Sequence, residues 1–262
     1  MPSLTTDQGN VHYEVFGRGK PVILLHGWLG SWGLWQQTMA DLSTSYRTYA
    51  LDFWGFGESG RRRATYAVQD FVSLVDQFME ALGIASAPLV GHSMGGTVSL
   101  SVAIQYPDRV AKVAVAGSPI EGSSLAPLLK LAGYRPIAFL LFNLMGPFRA
   151  WMKYFYSRSI CKDPRFPAMM DRDLSRTTLE SFLRSIASLR RTDLTPSLGQ
   201  VRVPALGLYG DKDRVVDPLQ WQPLEKGVAQ AQIAHFPNAG HFMMLEAPAE
   251  FSQRLKKFLD EP

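Results

Sequence analysis

Ser93 stands in "GHSMGG", with Gly91 and Gly95 on either side. A serine hydroxyl is a nucleophile near neutral pH only when a base takes its proton. The chain offers five histidines for that role: His12, His26, His92, His235 and His241. His241 lies in "PNAGHFMMLEAP", a turn-rich loop with a helical pattern after it. A base of this kind needs a carboxylate to fix its tautomer and stabilise its cation. "LYGDKDRVVDP" supplies three, Asp211, Asp213 and Asp217, directly after an apolar run. Together these residue types would perform acyl transfer, in which the serine attacks a carbonyl carbon.

Such side chains must be brought together by the elements around them. "APLVGHSMGGTVSL", residues 87–100, reads as a buried strand, a tight turn and a helix that ends before Pro107. Ser93 is at the corner, where flanking side chains would clash as the backbone folds back. Further short apolar runs are Val22–Leu25, Thr48–Leu51, Val113–Ala116, Ala205–Tyr209 and Ile233–Phe236. Helical patterns lie between several of them, the clearest over Tyr66–Leu82 with Val68, Phe71, Val72, Val75, Phe78, Met79 and Leu82 on one stripe. "VHYEVFG", residues 11–17, fits a leading antiparallel strand. The alternation predicts an α/β fold, a mostly parallel central sheet of about eight strands with helices on both faces. The loop holding His241 then falls at the carboxyl edge of the sheet, where open α/β folds place their sites.

The rhythm breaks between Glu121 and Pro196, which is helix-rich and too long for a structureless loop. The expected organisation is a core over residues 1–120 and 197–262, interrupted by a helical cap over 121–196. That cap holds 12 of the 27 basic and 6 of the 23 acidic side chains, a net of +6 against −2 elsewhere. No nucleic-acid-binding module accompanies the charge, so nucleic acid is not an expected partner. The single cysteine, Cys161, has no internal partner and suits a reducing compartment. The start "MPSLTTDQGN" lacks a signal-peptide pattern. No apolar run reaches the ~18 residues of a membrane span. The expectation is a cytoplasmic protein.

With these residues in place the chain resembles the α/β-hydrolase fold family, over nearly all its length and least in the cap. "HGW" at 26–28 matches the family's oxyanion loop and "DFWGFGES" at 52–59 its D-x-x-G-x-G-x-S turn. "GHSMGG" matches the nucleophile elbow, "GDKDRVV" the acid loop and "GHF" at 240–242 the histidine loop. The resemblance implies Ser93, Asp213 and His241 as catalytic residues, with Asp211 and Asp217 left as turn or capping residues. It also implies an oxyanion hole from the backbone N–H groups of Trp28 and Met94, whose side chains would then tolerate substitution. Met94 opens the helix, so its amide is a helix-start donor. His92 and His26 are read as local packing and loop-shaping residues, His12 and His235 as structural or solvated. Arg61–Arg63 reads as a solvated loop, and "DFWGFGES" as turn architecture with Gly55 and Gly57 at positive φ.

The resemblance implies a carboxylesterase acting through an acyl-enzyme on a small apolar ester, without cofactor or metal. Family members with an aspartate nucleophile are set aside by Ser93, and no H-E-x-x-H zinc pattern occurs. Carbon–carbon bond hydrolases, haloperoxidase-like perhydrolases, thioesterases and aminopeptidases share these motifs, and some members of the fold are non-catalytic binding proteins. The cap's apolar residues (Leu128, Leu131, Phe139, Phe142, Leu144, Met145, Phe148, Trp151, Phe155) are expected to include some that face Ser93. The apolar "PIAFLLFNLMGPF" at 136–148, followed by Arg149, Lys153 and Arg158, is expected to bury against the pocket in preference to lying on a membrane.

Overall fold

The computed structural model describes residues 2–61 and 65–261. Its strands are β1 (Ser3–Thr6), β2 (Gly9–Phe16), β3 (Lys20–Leu25), β4 (Tyr46–Leu51), β5 (Ala87–His92), β6 (Val110–Ala116), β7 (Ala205–Gly210) and β8 (Ala231–Phe236). They form a single eight-stranded sheet in the order β1-β2-β4-β3-β5-β6-β7-β8. β2 pairs antiparallel with β1 and β4, and every other pairing is parallel. The predicted strands are present, including the antiparallel leader. β1 has no counterpart in the sequence analysis.

Side chains alternate across the sheet, and the alternation assigns the helices to its faces. Ile23, Leu25, Leu89, Val113 and Val115 belong to one buried cluster, which includes α2 (Val68–Ala81) and α3 (Met94–Gln105). Val22, Leu24, Val90, Ala114 and Ala116 belong to the other, with α1 (Gln36–Leu42) and the last helix, Pro248–Asp260. The expected stripe of α2 is buried from Val68 to Met79, each large side chain contributing about 1.5–3 kcal/mol by leaving water. Asp70 starts that helix by accepting the Ala67 N–H at 2.9 Å. α3 is buried nearly all round, and its serines are satisfied within the helix: Ser99 donates to the Gly95 carbonyl and Ser101 to that of Thr97, each at 2.8 Å.

Between β6 and β7 the chain inserts α4 (Pro127–Ala132), α5 (Arg135–Asn143), α6 (Met145–Trp151), a π turn (Met152–Tyr156), α7 (Ser157–Ile160), α8 (Phe166–Ser175) and α9 (Leu179–Arg191). α10 (Trp221–Gly227) separates β7 from β8, and α11 (Met243–Glu246) precedes α12 (Pro248–Asp260). Among the described residues no helix is long and apolar enough to cross a membrane.

Candidate active site

β5 ends at His92 and α3 begins at Met94, so Ser93 alone makes the turn, with φ 51° and ψ −119°. Residues with a Cβ rarely adopt such a conformation, which costs of order 1–3 kcal/mol. The glycines make the corner possible. A Cβ on Gly91 would run into the Gly95 carbonyl, and one on Gly95 into the carbonyl of Leu25. As the first residue of α3, Met94 has an amide without an intrahelical acceptor. No backbone carbonyl takes the Met94 or Trp28 N–H among the described residues.

The loops after β7 and β8 bring Asp213 and His241 to this corner. Both are buried, and His241 Nδ1–H donates to Asp213 Oδ2 at 2.7 Å. That leaves Nε2 as the basic nitrogen, and His241 lines the same cavity as Ser93. Asp213 Oδ1 accepts the amides of Val215 and Val216 at 2.8 and 3.0 Å. The other two carboxylates of this loop are elsewhere. Asp211 meets the half-exposed His235 at 3.1 Å, and Asp217 accepts the Leu219 amide at the start of a short helical turn.

The remaining histidines hold loops. His92 Nε2–H donates to the His241 carbonyl at 3.0 Å, with the two rings 4.6 Å apart. Burial, reinforced by the neighbouring His241, holds the His92 pKa well below the usual 6.5. His26 Nδ1–H donates to the Gly27 carbonyl at 2.7 Å, and its Nε2 accepts the Phe53 amide at 3.0 Å. This ties the loop of Trp28 to the "DFWGFGES" turn, where Gly55 and Gly57 take φ values of 81° and 52°. Asp52 organises that turn, accepting the Trp32 and Glu58 amides and the buried His12 ring. Arg61 is exposed, whereas Arg62 and Arg63 lie outside the described residues.

The cavity at Ser93 has a volume of about 70 Å³. One water requires only ~10–15 Å³ on this measure, so a short acyl group fits. Some of the nine apolar cap residues were expected to face Ser93, and none of them lines this cavity. The insertion instead contributes Leu129, Met152, Tyr156, Ile160, Phe166 and Met170. Local phase is part of the reason: Leu128 precedes Leu129, Trp151 precedes Met152 and Phe155 precedes Tyr156, so these three lie one position off the residues that line it. Five of the nine (Leu128, Leu131, Leu144, Phe148, Trp151) line an adjoining apolar chamber of about 380 Å³. The two spaces share Trp28, Leu129, Met152 and Tyr156 as walls. The Trp28 side chain therefore does more than expected: its Nε1–H donates to the Phe182 carbonyl of α9 at 3.2 Å and its ring lies 4.7 Å from that of Phe182.

Two polar groups of the cavity were not anticipated from the sequence. Burial, with a contribution from Asp213, pushes the Tyr156 phenol up to about 12, so it stays a neutral donor. Asp173 is buried by α8 and its carboxyl is pushed up by that burial, against the hydrogen bonds from Arg172 and Ser31. Among the described residues no lysine or arginine lines either space. The cations of the insertion do not reach the reacting centre. Among the described residues no group of three His, Cys, Asp or Glu side chains converges as metal ligands would.

Residues 20–248 match the family model of the alpha/beta hydrolase fold. The chain belongs to the α/β-hydrolase fold family. Among curated members of this hydrolase family, it is 30% identical to the 2-hydroxy-6-oxo-2,4-heptadienoate hydrolase of Pseudomonas putida, across 93% of this chain and 90% of that protein. It is 26% identical to the pimeloyl-[acyl-carrier protein] methyl ester esterase of Vibrio campbellii, across 95% and 98%. The enol-lactonase of Burkholderia xenovorans shares the fold, with a TM-score of 0.82 at 23% identity over 99% of this chain and 100% of that one. This α/β hydrolase thus resembles relatives named for carbon–carbon and for ester substrates alike.

Proposed function

We propose that this α/β hydrolase cleaves carboxylic esters with uncharged acyl groups through an acyl-enzyme on Ser93. Ser93 Oγ attacks the ester carbonyl while His241 Nε2 takes its proton, and Asp213 stabilises the resulting imidazolium. The amides of Trp28 and Met94 hold the oxyanion, Met94 with the favourable field of the α3 N-terminus behind it. His241 then returns the proton to the leaving alcohol. A water, deprotonated by the same nitrogen, attacks the acyl carbonyl and releases the acid. The insertion between β6 and β7 acts as the cap that selects the acyl group.

The observation that carries this reading is the strained Ser93 at a helix start, in one cavity with a histidine whose other nitrogen is held by buried Asp213. A second reading, carbon–carbon bond hydrolysis, is favoured by the Pseudomonas putida relative. A dienoate substrate brings a carboxylate, however, and among the described residues the cavity walls offer it Asp173 and no cation. Desolvating an unpaired carboxylate is costly, which favours the neutral ester.

A panel of chromogenic acyl esters, set beside a 2-hydroxy-6-oxo-dienoate, distinguishes the two. Turnover of the esters with little on the dienoate is the expected result. Preference for the dienoate would replace this reading with the second.

A further inference from the structure

The helices of the insertion turn apolar side chains outward as well as inward. In α5, Ala138 is buried and Leu141 and Phe142 pack on the core. The opposite face carries Phe139 and Leu140, 60% and 57% exposed. The next stretch repeats the pattern: Met152 and Tyr156 line the cavity while Trp151, Tyr154 and Phe155 stand outside, Phe155 at 70% exposure. Nine of the ten large exposed hydrophobics among the described residues lie between Leu128 and Phe155. A helix apolar on all sides needs a second apolar partner.

The charge around this face narrows what the partner is. Residues 127–160 contain Lys130, Arg135, Arg149, Lys153 and Arg158 and not a single Asp or Glu. Asp171 of α8 engages Arg149 at 2.8 Å and Lys153 at 3.4 Å. Lys130, Arg135 and Arg158 make no ion pair among the described residues. A second copy of the chain would bring like charges together across a two-fold contact. An anionic, apolar phase satisfies both the hydrophobic stripes and the cations. The face is also continuous with the site: Leu128, Leu131, Leu144 and Trp151 are exposed on it and line the chamber that adjoins the Ser93 cavity.

We propose that this face docks on an anionic lipid surface, with Phe139, Leu140 and Phe155 entering the apolar layer, and that acyl chains pass from it through the chamber to Ser93. The delivery step rests on the esterase reading; the docking step does not.

Co-sedimentation of the Ser93→Ala protein with phosphatidylglycerol or phosphatidylcholine vesicles tests docking without turnover. Binding to phosphatidylglycerol vesicles, weakened by added salt and much lower on phosphatidylcholine, is expected. The triple substitution Lys130→Glu/Arg135→Glu/Arg158→Glu should reduce it by about a hundredfold or more. Leu140→Ser/Phe155→Ser, in otherwise wild-type protein, should lose vesicle binding yet keep its melting temperature and its rate on a soluble short ester. Absent binding to phosphatidylglycerol, or binding indifferent to both sets of substitutions, overturns the proposal. So does a dimer in sedimentation velocity that Leu140→Ser/Phe155→Ser dissolves, since the face would then be a self-association surface. The soluble-ester rate is read separately, so a failed docking arm leaves the esterase reading standing, and the reverse.

Discussion

Asp213 Oδ2 lies 2.7 Å from His241 Nδ1, while Asp213 Oδ1 is held by the Val215 and Val216 amides. The carboxylate is thus anchored by its own loop, and it presents its free oxygen to the histidine before any substrate arrives. Asp213→Asn keeps the size but loses the charge that stabilises the imidazolium. We expect a fall in kcat of about 10⁴-fold with the fold unchanged by circular dichroism. Asp211→Asn should stay within about threefold of wild type, because its partner His235 is half-exposed and neither residue lines the cavity. Steady-state kinetics of the two variants decide the assignment; a larger loss in Asp211→Asn would move the acid role to that residue.

The strain at Ser93 has a thermodynamic consequence separable from catalysis. Glycine accepts φ 51° with ψ −119° far more readily than alanine does. Ser93→Gly should therefore be more stable than Ser93→Ala, by about 1 kcal/mol after glycine's entropic cost, although both lack the nucleophile. Urea melts of the pair measure this. Equal midpoints would mean that the corner carries no strain.

Buried neutral histidines make the fold acid-sensitive. His26 and His92 both have pKa values lowered by burial, while in the unfolded chain they titrate near 6.5. Their neutral forms fit the fold, so their contribution is intact above pH ~6.5 and declines as pH falls toward the lowered folded values, by at most about 1.4 kcal/mol per pH unit for each group. His12 runs the other way. Burial alone would lower its pKa, but Asp52, helped by Glu14, raises it, so its stabilisation is present below pH ~6.5 and fades as pH rises through the folded value. Below pH ~6.5 the His12 contribution is already complete and adds no opposing slope, so stability should drop between pH ~6.5 and ~5. His92→Gln keeps a donor for the His241 carbonyl and cannot titrate, so it should flatten that slope. An unchanged slope in thermal melts would remove His92 from the account.

Met152 stands in the wall shared by the Ser93 cavity and the apolar chamber. Each methylene accommodated beyond it gains about 0.8 kcal/mol, so kcat/KM should climb with acyl length until the chamber fills. Met152→Trp narrows the passage. It should leave acetate esters within a few-fold of wild type and cut hexanoate esters by roughly 10–100-fold. A chain-length series of identical shape in both proteins would show that acyl chains do not use the chamber.

What the sequence discloses about this protein follows the range of the interactions involved. The Ser93 corner was legible because the requirement is local: Gly91 and Gly95 exclude side chains within a few residues of the nucleophile. The buried stripe of α2 was legible for the same reason, its period being written in one helix. β1 was not, since "SLTT" at a sheet edge is half-exposed and carries no strong apolar signal. The inward face of the insertion was legible only in part: Phe142 and Phe148 do pack inward, whereas Phe139 and Phe155 stand exposed, because helices apolar on both sides have no polar face to fix their rotation. Asp173 was invisible as well. In "DRDLSR" it reads as surface charge, and only the packing of α8 against Ser31, 142 residues away, buries it beside the cavity.

The central claim is that Ser93 carries the acyl group, and covalent trapping tests it most directly. Incubation with a fluorophosphonate, followed by peptide mass mapping, should give one adduct, on the peptide containing Ser93, with loss of ester turnover in proportion to labelling. Ser93→Ala should take up no label and retain less than about 10⁻⁴ of the wild-type kcat. A label on another residue, or a folded Ser93→Ala protein within tenfold of wild type, would contradict the account.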